Sequence, residues 1–332
     1  MKILANDGIS KEGKLELEKA GYTVITDKVD QSELANKINE ENYEIVLVRS
    51  ATTVRKEVID QCPNLKLIGR GGVGMDNIDV EYAREKGIKV INTPASSSQS
   101  VAELVIGQMF SMSRFLGESQ KNMENGDFNK LKKQYGSGVE LRGKTLGIIG
   151  FGRIGQSLAQ YAIGIGMDVI AMDVEERLVE VPITLNWTAQ SGNKVSNNMG
   201  IKIKTKTNLD EILPLCDYIS IHVPKQENGN SVINEREFNL MKDGVRIINT
   251  ARGGVINESD LLKALESGKV SFAALDVYEN EPSPMKELLS HSRISVTPHI
   301  GAATSEAQDR IGTELSNLII QEFSIIENIW IT

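Results

Sequence analysis

The six residues Gly150-Phe151-Gly152-Arg153-Ile154-Gly155 constrain this chain more than any others, because of what stands on either side of them. Lys144 to Ile149 reads as a buried strand, and Gln156 to Ile163 reads as a helix. In that setting the first glycine permits a tight turn, the second lets a pyrophosphate approach the backbone, and the third lets the helix pack on the strand. The new helix then offers unpaired N–H groups and a positive dipole end to the phosphates, with Arg153 and Ile154 of the loop also expected at the cofactor. The next strand ends in Ala171-Met172-Asp173, about twenty residues on, where an acid accepts hydrogen bonds from an adenosine ribose. A carboxylate there also repels a 2′-phosphate, so NAD is expected rather than NADP. The glycine pattern alone occurs by chance, and the bland alternative is an ordinary turn with Asp173 merely solvated. Strand, loop, helix and acid in order argue against that alternative.

Short apolar strands alternate with amphipathic helical patterns almost from end to end, which predicts parallel α/β architecture. One set of strands is expected at Ile3–Ala5, Thr23–Ile25, Ile45–Val48, Leu67–Ile68 and Val90–Ile91, with helices at Lys11–Ala20 and Ser32–Asn39. After the turn Thr93 to Ser98 a long helix begins, with Val101, Leu104, Val105 and Met109 at helical spacing and Ser98 or Ser100 as its cap. A second set follows at Lys144–Ile149, Asp168–Met172, Tyr218–Ile221, Val245–Ile248, Phe272–Leu275 and Ile294–Val296, then a last helix from Thr304 to Phe323. Residues 324–332 are expected to dock on the surface or fray. Two sets of strands imply two parallel-sheet domains, Rossmann-like or flavodoxin-like, with a cleft between them. The 332 residues suffice for two cores.

Between Asp173 and Leu209 the style changes to a polar, Gly/Asn/Ser-rich stretch. Alternation in Ile183–Trp187 and Ile201–Thr207 allows a β-hairpin there, the alternative being a plain surface loop. Composition then excludes several classes of function. A net charge of −8 with scattered basic residues argues against nucleic acid. No apolar run approaches the roughly 20 residues of a membrane span. Met1 leads into Lys2-Ile3-Leu4-Ala5, read as a buried strand rather than a signal peptide, so a cytoplasmic enzyme is expected. Cys62 and Cys216 lack partner motifs and read as core residues, with no disulfide and no metal site.

The chain has only three histidines, His222, His291 and His299, and an enzyme oxidising an alcohol needs a group to take the hydroxyl proton near neutral pH. His299 stands in Thr297-Pro298-His299-Ile300-Gly301-Ala302, past a strand end, where α/β sites gather. Upstream, Asp276-Val277-Tyr278-Glu279-Asn280-Glu281-Pro282 follows another strand, and a carboxylate from it paired with His299 would favour the imidazolium. Asn249-Thr250-Ala251-Arg252-Gly253-Gly254 follows a third, and a guanidinium there can bind a substrate carboxylate as a fork. Each could be a loop with a surface charge. Three such loops beside a nucleotide fold are harder to dismiss.

With the glycine loop, Ala251–Gly254, Asp276–Pro282 and Pro298–Gly301 in hand, the chain resembles the D-isomer-specific 2-hydroxyacid dehydrogenases, and within them the short phosphoglycerate dehydrogenases, from Lys2 to about Phe323. The resemblance implies Arg252 as the substrate-binding arginine, His299 as the acid/base and Glu281 as the carboxylate that orients it, leaving Glu279 aside. It implies a substrate domain of residues 1–98 plus 300–332 and an NAD-binding domain of residues 99–299. Val223, Pro224, Thr250, Ala251, Asp276, Gly301 and Ala302 would border the cofactor, and His222 is read as structural. It further implies a homodimer or homotetramer formed through the nucleotide domain. No regulatory domain is expected after Phe323, so serine feedback by that route is not expected.

For the substrate, Arg49-Ser50 and Arg70-Gly71-Gly72-Val73-Gly74 each sit at a strand end. Phosphoglycerate dehydrogenases look like this, with cations facing the phosphate, while the N–H groups of Gly71 to Gly74 can hold a carboxylate as a nest. The alternative is that Arg49 and Arg70 form structural ion pairs. The expected reaction is NAD-linked interconversion of 3-phosphoglycerate and 3-phosphohydroxypyruvate, the first step of serine biosynthesis. A glyoxylate or hydroxypyruvate reductase is the near alternative, and a non-catalytic nucleotide-sensing corepressor the remote one.

Overall fold

The computed structural model describes residues 1–226 and 228–329, and two compact units divide it: residues 1–100 with 302–332, and residues 101–301. The first unit is built on β1 (Lys2–Ala5), β2 (Thr23–Ile25), β3 (Ile45–Val48), β4 (Leu67–Arg70) and β5 (Lys89–Asn92). All pair in parallel in the order β2-β1-β3-β4-β5. Successive strand residues face opposite sides, so Leu4, Val46, Val48 and Ile68 enter one core while Ile3, Ala5, Ile45, Leu47 and Leu67 enter the other. The helix Lys11–Lys19 begins at Ser10, whose hydroxyl accepts from Gly13 N at 3.2 Å. It crosses the last helix so closely that a Cβ at Gly13 would lie 2.5 Å from Gly312 O.

The second unit holds β6 (Thr145–Ile149), β7 (Asp168–Met172), β8 (Leu178–Thr188), β9 (Lys194–Lys204), β10 (Tyr218–Ile221), β11 (Val245–Asn249), β12 (Val270–Leu275) and β13 (Ile294–Val296). Six of these form a parallel sheet in the order β13-β12-β11-β10-β6-β7, so the order reverses between β6 and β10. Ligands of such sheets bind past the strand ends at that reversal. The two parallel sheets agree with the fold class expected from the sequence.

The stretch after Asp173 is an antiparallel β8–β9 ribbon, not a loop. Its register sets Val179, Val181 and Ile183 on one face with Ile203 and Ile201, and these pack into the core above β6 and β7. Farther along that face Leu185, Trp187 and Met199 are exposed.

Two smaller expectations change. The Ser98 hydroxyl is buried with no hydrogen-bond partner among the described residues and does not cap the helix Ser98–Arg114. The last helix continues to Ile329 instead of ending at Phe323, and residues 330–332 lie outside the described residues. No helix among the described residues is long and apolar enough to cross a membrane.

Candidate active site

The glycine loop lies at the C-terminal end of β6, at the strand-order reversal. Gly150 has φ +93°, and a Cβ there would sit 2.6 Å from His222 O and 2.9 Å from Val223 Cγ1, so neither conformation nor space admits a side chain. A Cβ at Gly155 would lie 2.4 Å from Gly150 O, which shows how tightly the helix Arg153–Gly164 presses on its strand. Around Gly152 nothing lies within 4 Å, and as N-cap it supplies no side-chain oxygen to the first N–H groups. A backbone open to close approach, with uncapped donors behind it, suits a pyrophosphate. Nearby, at the end of β11, the Thr250 hydroxyl is buried with no partner among the described residues. These features fit a dinucleotide.

Asp173 directly follows β7, with its N–H on Lys206 O at 2.9 Å. Its carboxylate is engaged: Oδ1 accepts from Val174 N at 2.8 Å and Oδ2 from Arg177 Nη2 at 2.5 Å. Arg177 also donates to Phe151 O at 3.1 Å, inside the glycine loop. No sequence signal marks this arginine, because the ribbon foot that positions it has no local pattern.

Three strand-end loops converge past β11, β12 and β13. Asn249 shapes the first as an Asx-turn, accepting from Ala251 N at 3.0 Å and donating to Arg252 O at 2.9 Å. A Cβ at Gly253 would fall 1.8 Å from Tyr278 O, so this loop lies directly on the second. In the second loop Asp276 is buried and its carboxylate holds the third: Oδ1 accepts from Thr297 Oγ1 at 2.6 Å and Ile300 N at 2.9 Å, Oδ2 from Gly301 N at 2.8 Å. Tyr278 adds a bond from its hydroxyl to Thr297 O at 3.0 Å, and burial pushes that phenol up to about 12. Between these anchors His299 adopts φ +54°, a left-handed conformation costing about 1–3 kcal/mol. Asp276 offsets that cost.

Nδ1 of His299 lies 2.8 Å from Glu281 Oε2, while Glu281 Oε1 accepts from Tyr278 N at 3.0 Å. Glu279 turns away, its N–H donating to Glu258 Oε1 at 2.7 Å. Burial, reinforced by the charges of Glu279 and Glu281, raises the Glu258 carboxyl above the ordinary range. A cavity of about 390 Å³ borders the pair, lined by Tyr278, Pro282, Thr297 and Pro298 among others, with no lysine or arginine among its lining residues. His222 is different. Its Nε2 bonds Ser220 Oγ at 2.9 Å, and burial drives its pKa down to about 3.

In the other unit, Arg49 follows β3 with its N–H on Asp7 Oδ2 at 2.6 Å, and burial lowers the pKa of its guanidinium. Arg70 folds back: a Cβ at Gly72, where φ is +141°, would lie 1.7 Å from Arg70 Nη1. The expected nest is narrower than Gly71–Gly74. Gly71 N donates to Val48 O at 2.9 Å and Gly72 N to Thr93 Oγ1 at 2.8 Å, leaving Val73 and Gly74 without backbone N–H partners among the described residues. Ser50 is exposed.

Residues 106–301 match the family model for the D-isomer specific 2-hydroxyacid dehydrogenase, NAD binding domain. The chain belongs to the D-isomer specific 2-hydroxyacid dehydrogenases. As a member it is an NAD-dependent oxidoreductase acting on the CH–OH group of a 2-hydroxy acid. It is similar to a hydroxypyruvate reductase of Thermotoga maritima, 40% identical over 328 residues, covering 98% of this chain and 99% of the relative. It is also 38% identical over 322 residues to a D-3-phosphoglycerate dehydrogenase of Methanocaldococcus jannaschii, covering 96% of this chain but only 57% of that longer protein. Among solved structures, the NAD-dependent formate dehydrogenase from Staphylococcus aureus in complex with NAD superimposes with a TM-score of 0.78 at 26% identity, over 97% of this chain and 96% of that one.

Proposed function

We propose that this dehydrogenase interconverts D-3-phosphoglycerate and 3-phosphohydroxypyruvate in the cytoplasm, opening serine biosynthesis, with His299 as acid/base. The single observation that carries the chemistry is the 2.8 Å pair between His299 Nδ1 and Glu281 Oε2. With Nδ1 held by a carboxylate, Nε2 is the nitrogen that takes the hydroxyl proton on oxidation and returns it on reduction. Arg252 binds the substrate carboxylate and polarises the reacting C–O bond. NAD, when bound, supplies the hydride acceptor. For holding it we assign the Gly150–Gly155 loop with Arg153 and Ile154, Asp173 for the adenosine ribose, and Val223, Pro224, Thr250, Ala251, Gly301 and Ala302 along its length. Asp276 supports the His299 loop that borders it.

In the unit of residues 1–100 and 302–332, Val73 and Gly74 are assigned to the carboxylate and Arg49 to the phosphate. Arg49 is only partly buried, and its backbone N–H, not its guanidinium, is what holds Asp7. Arg70 is the weaker candidate because it is folded over Gly72. That packing, with the 40% identity to a hydroxypyruvate reductase, favours an unphosphorylated 2-oxo acid as the second reading. Initial rates of NADH oxidation with phosphohydroxypyruvate, hydroxypyruvate and glyoxylate separate the two. A preference of about tenfold or more in kcat/KM for the phosphorylated acid supports the first reading, and the reverse order supports the second. We also assign a homodimer or homotetramer, supported by the exposed Phe110, Leu116, Met123 and Phe128 on the nucleotide unit.

A further inference from the structure

Arg177 stands at the foot of the β8–β9 ribbon, beside the acid assigned to the adenosine ribose. Its backbone is fixed there: Arg177 N donates to Thr205 Oγ1 at 2.8 Å, and Thr205 N donates to Arg177 O at 2.9 Å. Thr205 is fully buried and its hydroxyl donates to Glu175 O at 2.7 Å. From this foothold the Arg177 guanidinium spans Asp173 Oδ2 at 2.5 Å and Phe151 O at 3.1 Å, joining the acid to the glycine loop. Both contacts use Nη2, and Nε and Nη1 have no protein partner among the described residues. The side chain is 45% exposed against 16% for Asp173, so the cation is the more open of the two.

A lone carboxylate at this corner repels a 2′-phosphate. A carboxylate paired with a guanidinium repels it less, because the two charges largely offset and the more exposed cation faces an incoming anion. The unengaged guanidinium donors match phosphate oxygens in a forked geometry. We propose that Asp173 and Arg177 form a dual ribose subsite, in which Asp173 takes the 2′-hydroxyl of NADH and Arg177 takes the 2′-phosphate of NADPH. The enzyme therefore binds both cofactors, and the extra ribbon is what brings the second specificity. This rests on the assignment of Asp173 to the adenosine ribose.

Calorimetric titration of the full chain with NADH, NADPH, 5′-AMP and adenosine 2′,5′-bisphosphate reads the proposal without turnover. The unaltered protein should bind NADPH within about tenfold of NADH. Arg177→Ala should lower the NADPH-to-NADH affinity ratio by about tenfold or more, the scale of one charge-assisted hydrogen bond. Arg177→Lys should recover part of that ratio, and Asp173→Asn should raise it. The bisphosphate-to-AMP ratio should move in parallel. Undetectable bisphosphate binding, or a ratio unmoved by Arg177→Ala, overturns the proposal. If Asp173→Ala leaves NADH and 5′-AMP affinities unchanged, the ribose assignment itself is wrong. If that variant weakens NADH but Arg177→Ala leaves the ratio untouched, only the role of Arg177 falls.

Discussion

Gly253 lies against Tyr278 so closely that a Cβ would sit 1.8 Å from the Tyr278 carbonyl oxygen and 2.6 Å from Glu279 N. The loops bearing Arg252 and Glu281 are therefore packed backbone on backbone. Gly253→Ala must push them apart, and misplacing positioned groups by about 1 Å costs about a hundredfold in rate. We expect kcat/KM to fall by about that factor, with circular dichroism unchanged and NADH still bound. A variant within about threefold of the parent would show that the loops adjust freely.

The imidazole–carboxylate pair makes a second prediction. His299→Ala should lower kcat by about 10²–10⁴-fold, the usual worth of a positioned acid/base, while a fluorescence titration finds NADH affinity retained. Glu281→Gln should lose less, because an amide oxygen can still accept from Nδ1. Parallel loss of turnover and NADH binding in His299→Ala would contradict the role given to His299.

Acid stability should report on His222. Burial holds its folded pKa at about 3, against about 6.5 for an unfolded histidine. Between those values the unfolded chain binds the additional proton. The contribution is therefore complete above about pH 6.5 and declines as the pH falls toward the folded value, by at most about 1.4 kcal/mol per pH unit. His222→Gln should flatten this part of the acid limb in urea denaturation measured from about pH 6.5 down to pH 4. Superimposable limbs for the two proteins would rule out a depressed pKa in the folded state.

Both thiols should be silent in the native protein. Burial pushes Cys62 up to about 11 and Cys216 up to about 12, and both are closed to solvent. A disulfide-exchange reagent at about pH 8 should modify neither until denaturant is added, since the thiolate is the reacting species. Rapid labelling of the native chain would show that one of these regions opens readily.

The strands and the glycine loop were legible because their signals are local: β-branched runs, glycines at fixed offsets, an acid at the next strand end. The sequence placed Asn249 only at the head of the Arg252 loop, and its Asx-turn emerges from the fold, where the side chain at the end of β11 accepts from Ala251 N. The ribbon was half visible. Pro182 and Gly200 face each other in its middle, and Asn197 and Asn198 lie nearby, all poor strand formers that hide a regular ladder. What no local pattern could show were contacts made by the folded sheet, such as Asp276 gripping Ile300 and Gly301, Arg70 lying over Gly72, and Arg177 meeting Asp173.

The β8–β9 ribbon leaves and rejoins the domain through one doorway, since Arg177 and Thr205 bond each other at 2.8 and 2.9 Å. Its inner half is packed on the core above β6 and β7, but its outer half, where Leu185 and Trp187 are exposed, can lengthen or shorten during descent with little entropic consequence, as the strands on either side need not move. Cofactor choice, on this proposal, is thereby tied to the anchored foot of an arm whose tip evolution can vary without rebuilding the sheet.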